Sequence, residues 1–168
     1  PARDGSAPPA PLVVLGAGYP EDLFALALTL DERGQWPVSR DASSRATPQS
    51  PSAPLPSPLV IACTHYPSEV YAASELGVHI VLAGHTHGGQ IRLSPRLAPH
   101  TSTDLPPHLA CGVLRLDNTL LAVSRGLGNS GIDLRLNCPP QIPLYTLRRA
   151  PLPGGAAPAR TLVQIQAW

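Results

Sequence analysis

Residues 81–91 read VLAGHTHGGQI, so two histidines stand two positions apart, framed by glycines, at the end of an apolar run. Neutral imidazole is the commonest side-chain metal ligand near neutral pH. In extended backbone, residues i and i+2 point the same way, so His85 and His87 are expected to face one pocket. Gly84, Gly88 and Gly89 let the chain turn sharply and bring backbone close to a bound ion or phosphate. A third histidine, His65, directly follows another apolar run, LVIACT at 59–64. His65, His85 and His87 are therefore the candidate metal ligands, and Gly88 and Gly89 the candidate substrate-binding positions. His65 has a plainer alternative reading, a polar strand-end residue that caps the next helix. His79 reads as an ordinary half-buried strand residue, and His100 and His108 as solvated loop residues.

The elements that must carry these residues follow from periodicity. PLVVLGAG (11–18) reads as a short buried strand closed by glycines. The segment 20–34 reads as a helix, with Pro20 at its start, Glu21 and Asp22 at the positive end of its dipole and Gly34 as its stop. Residues 59–64 form an apolar strand. Residues 67–77 form a helix with Val70, Ala73 and Leu76 on one stripe, ended by Gly77. Residues 78–84 form a second apolar strand. Strand, helix and strand in so short a span predict a βαβ unit with buried, parallel strands. Both histidine positions then fall at the carboxyl edge of the sheet, where ligands of open α/β folds bind. Residues 94–108 read as a loop, and 110–124 as a hairpin turning at Asp117-Asn118. A glycine-rich loop follows, then a strand over 141–149. The terminal TLVQIQAW either adds a strand or trails off.

Composition narrows the class. The chain has 168 residues, 22 of them proline, yet 43% are apolar, so it is neither collagen-like nor wholly disordered. Lysine and methionine are absent, and a chain without methionine reads as a piece of a longer protein or a processed one. The net charge is +1, and no basic run exceeds Arg148-Arg149. Nucleic acid is thus not expected as the main partner, because backbone-phosphate binding concentrates positive charge. Cys63, Cys111 and Cys138 are too few and too scattered for a disulfide framework, and read as buried free thiols. No apolar run approaches the ~20 residues of a membrane span.

GHTHGGQ, preceded by THYP and followed by SRGLGNSGIDLRLNCPP, resembles the C-terminal half of a calcineurin-like metallophosphoesterase, in the bacterial branch whose last motif has this form. The resemblance covers 11 to about 149 and is strongest over 61–91. It implies an α/β fold of the metallophosphoesterase type, a four-layer α/β/β/α sandwich of which this chain is the C-terminal half. Residues 1–149 would be that portion, interrupted by a proline-rich insert at about 35–58, with 150–168 a Pro/Gly/Ala linker and tail. It also implies two divalent metal ions (Mn, Fe, Zn or Mg), with His65 and His85 on the second ion and His87 on the first. A metal-bridging hydroxide would attack phosphorus while both ions hold the phosphate oxygens.

The departures are equally specific. The family's Asp-x-His, Gly-Asp-x-x-Asp and Gly-Asn-His motifs are absent, and Pro140-Gln141 stands where the branch has Pro-Glu. No catalytic residue is therefore visible, only part of a ligand set. A metallo-β-lactamase would need Asp-His where Gly89-Gln90 stands, and a TIM-barrel amidohydrolase would need later strand-end histidines. The expected function is hydrolysis of a phosphate mono- or diester, lipid-linked substrates included, by the protein with its upstream part. The rival is a non-catalytic remnant, or a structural half that binds metal or a complementary chain without turnover. The expected location is the cytoplasm or the cytoplasmic membrane surface, with membrane association through an upstream region.

Overall fold

A computed structural model describes residues 11–17, 23, 25, 26, 30, 33, 58–147 and 162–166. Its centre is one mixed sheet of six strands: β1 (Leu12–Gly16), β2 (Leu59–Cys63), β3 (Ile80–Ala83), β4 (Gly112–Leu116), β5 (Thr119–Val123) and β6 (Val163–Gln166). Their spatial order is β1-β2-β3-β5-β4-β6. β1, β2, β3 and β5 run parallel, and β4 is antiparallel to β5 and β6.

The βαβ unit forms as its apolar pattern dictates. Between β2 and β3 lie a 3-10 turn (Pro67–Glu69) and the helix α1 (Val70–Glu75). Proline sits in the first turn, where its missing N–H costs nothing. Val70, Ala73 and Leu76 are buried as one stripe, and Gly77 takes a φ of 74° just past the helix, the left-handed exit that glycine adopts without strain. The stripe packs on a sheet core that includes Val60, Val81, Leu114, Leu121 and Val123, all at 0% exposure. Each such side chain contributes about 1.5–3 kcal/mol by leaving water. Leu23 is helical, belongs to this core, and its backbone N–H donates to Glu69 Oε2 at 3.0 Å. Ala25, Leu26 and Leu30 are also helical. Arg33 lies in a turn; the other residues of the helix expected over 20–34, its caps and the proline-rich insert up to residue 57 lie outside the described residues.

The hairpin β4–β5 turns at Asp117-Asn118, where Asp117 has a φ of 51°. Thr119, buried at its start, donates from Oγ1 to the Val78 carbonyl at 2.6 Å and so ties the hairpin to β3. The C-terminal stretch adds a strand, β6, alongside β4.

Three expectations are corrected. Residues 141–147 have no regular structure, rather than continuing a strand toward 149. Pro143 lacks a backbone donor, β6 already pairs the outer edge of β4, and Ile142 and Leu144 are 77% and 95% exposed. Of the three thiols, Cys111 and Cys138 are buried but Cys63, on the last position of β2, is exposed. The third correction concerns the backbone at His85 and His87. Among the described residues, no helix is long and apolar enough to cross a membrane.

Candidate functional site

Two hydrogen bonds join the carboxyl ends of β2 and β3. Thr64 N–H donates to the Leu82 carbonyl at 2.9 Å, and Gly84 N–H to the His65 carbonyl at 3.4 Å. Strand register therefore sets His65 beside His85, and their ring centroids are 4.5 Å apart with planes at 54°. The Tyr66 ring stands edge-on to both, 4.7 Å from His65 and 4.5 Å from His85. His65 does not cap the following turn, whose N-cap is Tyr66 without a side-chain capping bond.

The expectation that His85 and His87 share one side of an extended backbone fails. His85 has a φ of 66° and His87 of 49°, both in the left-handed region that residues other than glycine seldom enter. His87 opens a 3-10 turn, His87–Gly89, instead of prolonging β3. Its ring accordingly takes a different neighbour, with Nδ1 2.9 Å from the Gly128 carbonyl. Thr86, 2% exposed, is the pivot between the two histidines. Its hydroxyl donates to the Ala110 carbonyl at 2.7 Å and accepts from Gly88 N–H at 3.1 Å.

Gly88 and Gly89 are buried, with φ of 64° and 83°. A Cβ at Gly88 would lie 2.5 Å from Arg125 Cγ and 2.8 Å from Cys138 Sγ; one at Gly89 would lie 2.7 Å from Ala98 Cβ. Close packing of the turn is reason enough for both glycines. Its carbonyls are held by two arginines to which the sequence reading assigned no role. Arg92, 6% exposed, donates from Nη1 to the Gly88 carbonyl at 2.6 Å and from Nη2 to the carbonyls of Pro95 and Pro107. Arg135 donates to the His87 carbonyl at 3.2 Å. Sequence offered no signal for these roles, since the acceptors are main-chain carbonyls.

Burial, and then the neighbouring His65, push His85 below the ordinary histidine range; His87 adds to this, while a hydrogen bond with the Ser102 backbone opposes it. That shift favours the neutral imidazole, the form that binds metal. A cleft of about 210 Å³ beside His87 is lined by Thr86, Gln90, Pro99, His100, Ser102 and Ser130 among others. His100 and Ser102 also border a larger cleft of about 590 Å³ next to Tyr66. His100 is exposed, as expected, and accepts or donates at Nε2 with the Ser102 hydroxyl at 2.9 Å. His108 is also exposed, and His79 is half-buried, its Nδ1 accepting from Val60 N–H at 3.1 Å.

The donor chemistry suits a divalent ion only in part. His65 and His85 form a ring pair, but among the described residues no group of three or more His, Cys, Asp or Glu could hold a metal ion. His87 stands apart from that pair in its hydrogen bonding, with Nδ1 against the Gly128 carbonyl. Ions sharing these donors would need carboxylates for bridging and charge neutralisation.

Over 88 residues, 52% of this chain and 30% of the relative, the chain is 33% identical to the uncharacterized metallophosphoesterase YkuE of Bacillus subtilis (strain 168). The match thus spans less than a third of that relative's length. No family model matches the chain, and no solved structure matches it. The likeness supports the metallophosphoesterase superfamily and, at that level only, hydrolase chemistry.

Proposed function

We propose that this chain carries part of the dinuclear metal centre of a phosphoesterase that hydrolyses phosphate mono- or diesters. The observation that carries this is the contact of His65 and His85 at the joined carboxyl ends of β2 and β3. The partial likeness to a metallophosphoesterase supports it. In the proposed arrangement the sheet described above is one half of a four-layer sandwich, and His65 and His85 serve one ion while His87 serves the other.

Bound divalent ions would supply an activated hydroxide and neutralise phosphate charge. The chain's own residues place the donors and set their protonation. β2 and β3 hold His65 and His85 side by side, burial and then His65 lower the His85 pKa, and Thr86 fixes the turn that directs His87. Gly88 and Gly89 let that turn lie close to the clefts, where a phosphoester would sit; lipid-linked esters belong to the proposed substrate class. The proposed location is the cytoplasm or its membrane surface.

The test is manganese-dependent hydrolysis of bis(p-nitrophenyl) phosphate by the protein with its upstream sequence and by its His85→Ala variant. Turnover abolished in the variant is the expected result. Equal turnover in both would refute the assignment, and metal binding without any turnover would favour a non-catalytic remnant.

A further inference from the structure

Resting on the phosphoesterase reading, we propose that Arg135 is a positioning residue of the metal centre, acting through the Gly128 carbonyl to set which His87 nitrogen faces a metal ion. Two groups meet that carbonyl: Arg135 Nη2 at 2.6 Å and His87 Nδ1 at 2.9 Å. A carbonyl oxygen accepts and cannot donate, so the proton of the His87 ring lies on Nδ1 and Nε2 keeps its lone pair. Which nitrogen is left for a metal is decided by the partner of the other one. Here that partner is backbone, in a glycine-rich loop with no strand ladder to hold it.

Gln141 N–H holds the nearby Gly126 carbonyl at 2.9 Å, and one guanidinium adds the restraint on Gly128. Besides Gly128, Arg135 donates from Nη2 to the carbonyls of Arg125 at 2.9 Å and Gly126 at 3.4 Å. From Nη1 it reaches the carbonyls of His87 at 3.2 Å and Cys138 at 3.1 Å, and from Nε it reaches Asn129 Oδ1 at 3.1 Å. It therefore grips both the backbone of His87 and the carbonyl on which the His87 ring rests. A planar fork of five N–H donors can do this, whereas a lysine ammonium cannot span those acceptors. The neighbouring residues have a separate fastening: the Gln90 carboxamide accepts from Ser130 N–H at 2.7 Å and donates to the Ser130 and Ile132 carbonyls at 3.2 and 2.8 Å. Removing Arg135 leaves that fastening in place and frees Gly128.

The experiment reads the His87 ring by 15N NMR in the metal-free 168-residue chain at about pH 8, where an ordinary histidine is neutral, with a separate titration by Mn²⁺ alone of the protein with its upstream sequence. The wild-type chain is expected to carry the His87 proton on Nδ1. Arg135→Gln, with its fold checked by circular dichroism, is expected to mix the two tautomers and to weaken Mn²⁺ binding by about 10- to 100-fold. Arg135→Lys is expected to do the same and serves if Arg135→Gln does not fold. A wild-type His87 protonated on Nε2 would overturn the proposal without any variant. So would a folded Arg135→Gln chain with the wild-type tautomer and affinity. A tautomer that depends on Arg135, with no Mn²⁺ bound by the protein with its upstream sequence, would uphold the clamp and count against the metal reading instead.

Discussion

His65 and His85, carried by different strands, lie with ring centroids 4.5 Å apart because the ends of β2 and β3 are hydrogen-bonded to one another. If the two serve one ion, neither binds it well alone. Replacing either by alanine should weaken Mn²⁺ binding by at least about tenfold, and the double variant should be little worse than the single ones, as expected for donors acting as a unit. Calorimetric titration of the four proteins measures this. Additive losses, or none, would show that the rings are neighbours without a shared ligand.

The same closeness makes the fold sensitive to acid. Burial and His65 lower the folded-state pKa of His85, so the unfolded chain takes up that proton at a higher pH than the folded one. The associated stability is complete above the unfolded value of about 6.5 and is lost as pH falls through the folded-state value. Urea melts at falling pH should show His85→Gln losing less stability on acidification than the wild-type chain. Parallel curves would contradict the assignment to His85.

Thr86 links the two halves of the motif through its hydroxyl. Thr86→Val keeps the shape but leaves the Gly88 N–H and the Ala110 carbonyl without that partner in a buried place. The expected loss of stability is about 1–3 kcal/mol, read from urea denaturation, with Thr86→Ser close to wild type. A Thr86→Val chain as stable as wild type would mean that water or backbone movement replaces both bonds.

Much of the sheet was legible because short apolar runs punctuated by glycine and proline leave few alternatives. LVIAC, IVLA and the hairpin around Asp117-Asn118 form where their patterns place them. The segment 141–147 misled because its alternation of apolar residues is also what an unpaired, extended chain shows; a strand needs a partner, and sequence does not name one. His65 and His85 could be brought together from strand ends alone. The turn at His87 could not, because a left-handed backbone at a histidine is set by surroundings that the local sequence does not show. Arg92 and Arg135 escaped for a related reason: their acceptors are main-chain carbonyls, which every residue has and no motif records.

The order β1-β2-β3-β5-β4-β6 leaves β2 and β3 in the interior of the sheet, each with a strand on both sides. Local opening of a protein begins at its margins and reaches such strands last. The imidazoles stand just past the ends of these interior strands, whose amide protons are expected to exchange slowly. The margins can fray and reclose while the spacing of His65 and His85 persists, a geometry that thermal motion at the rim does not reach.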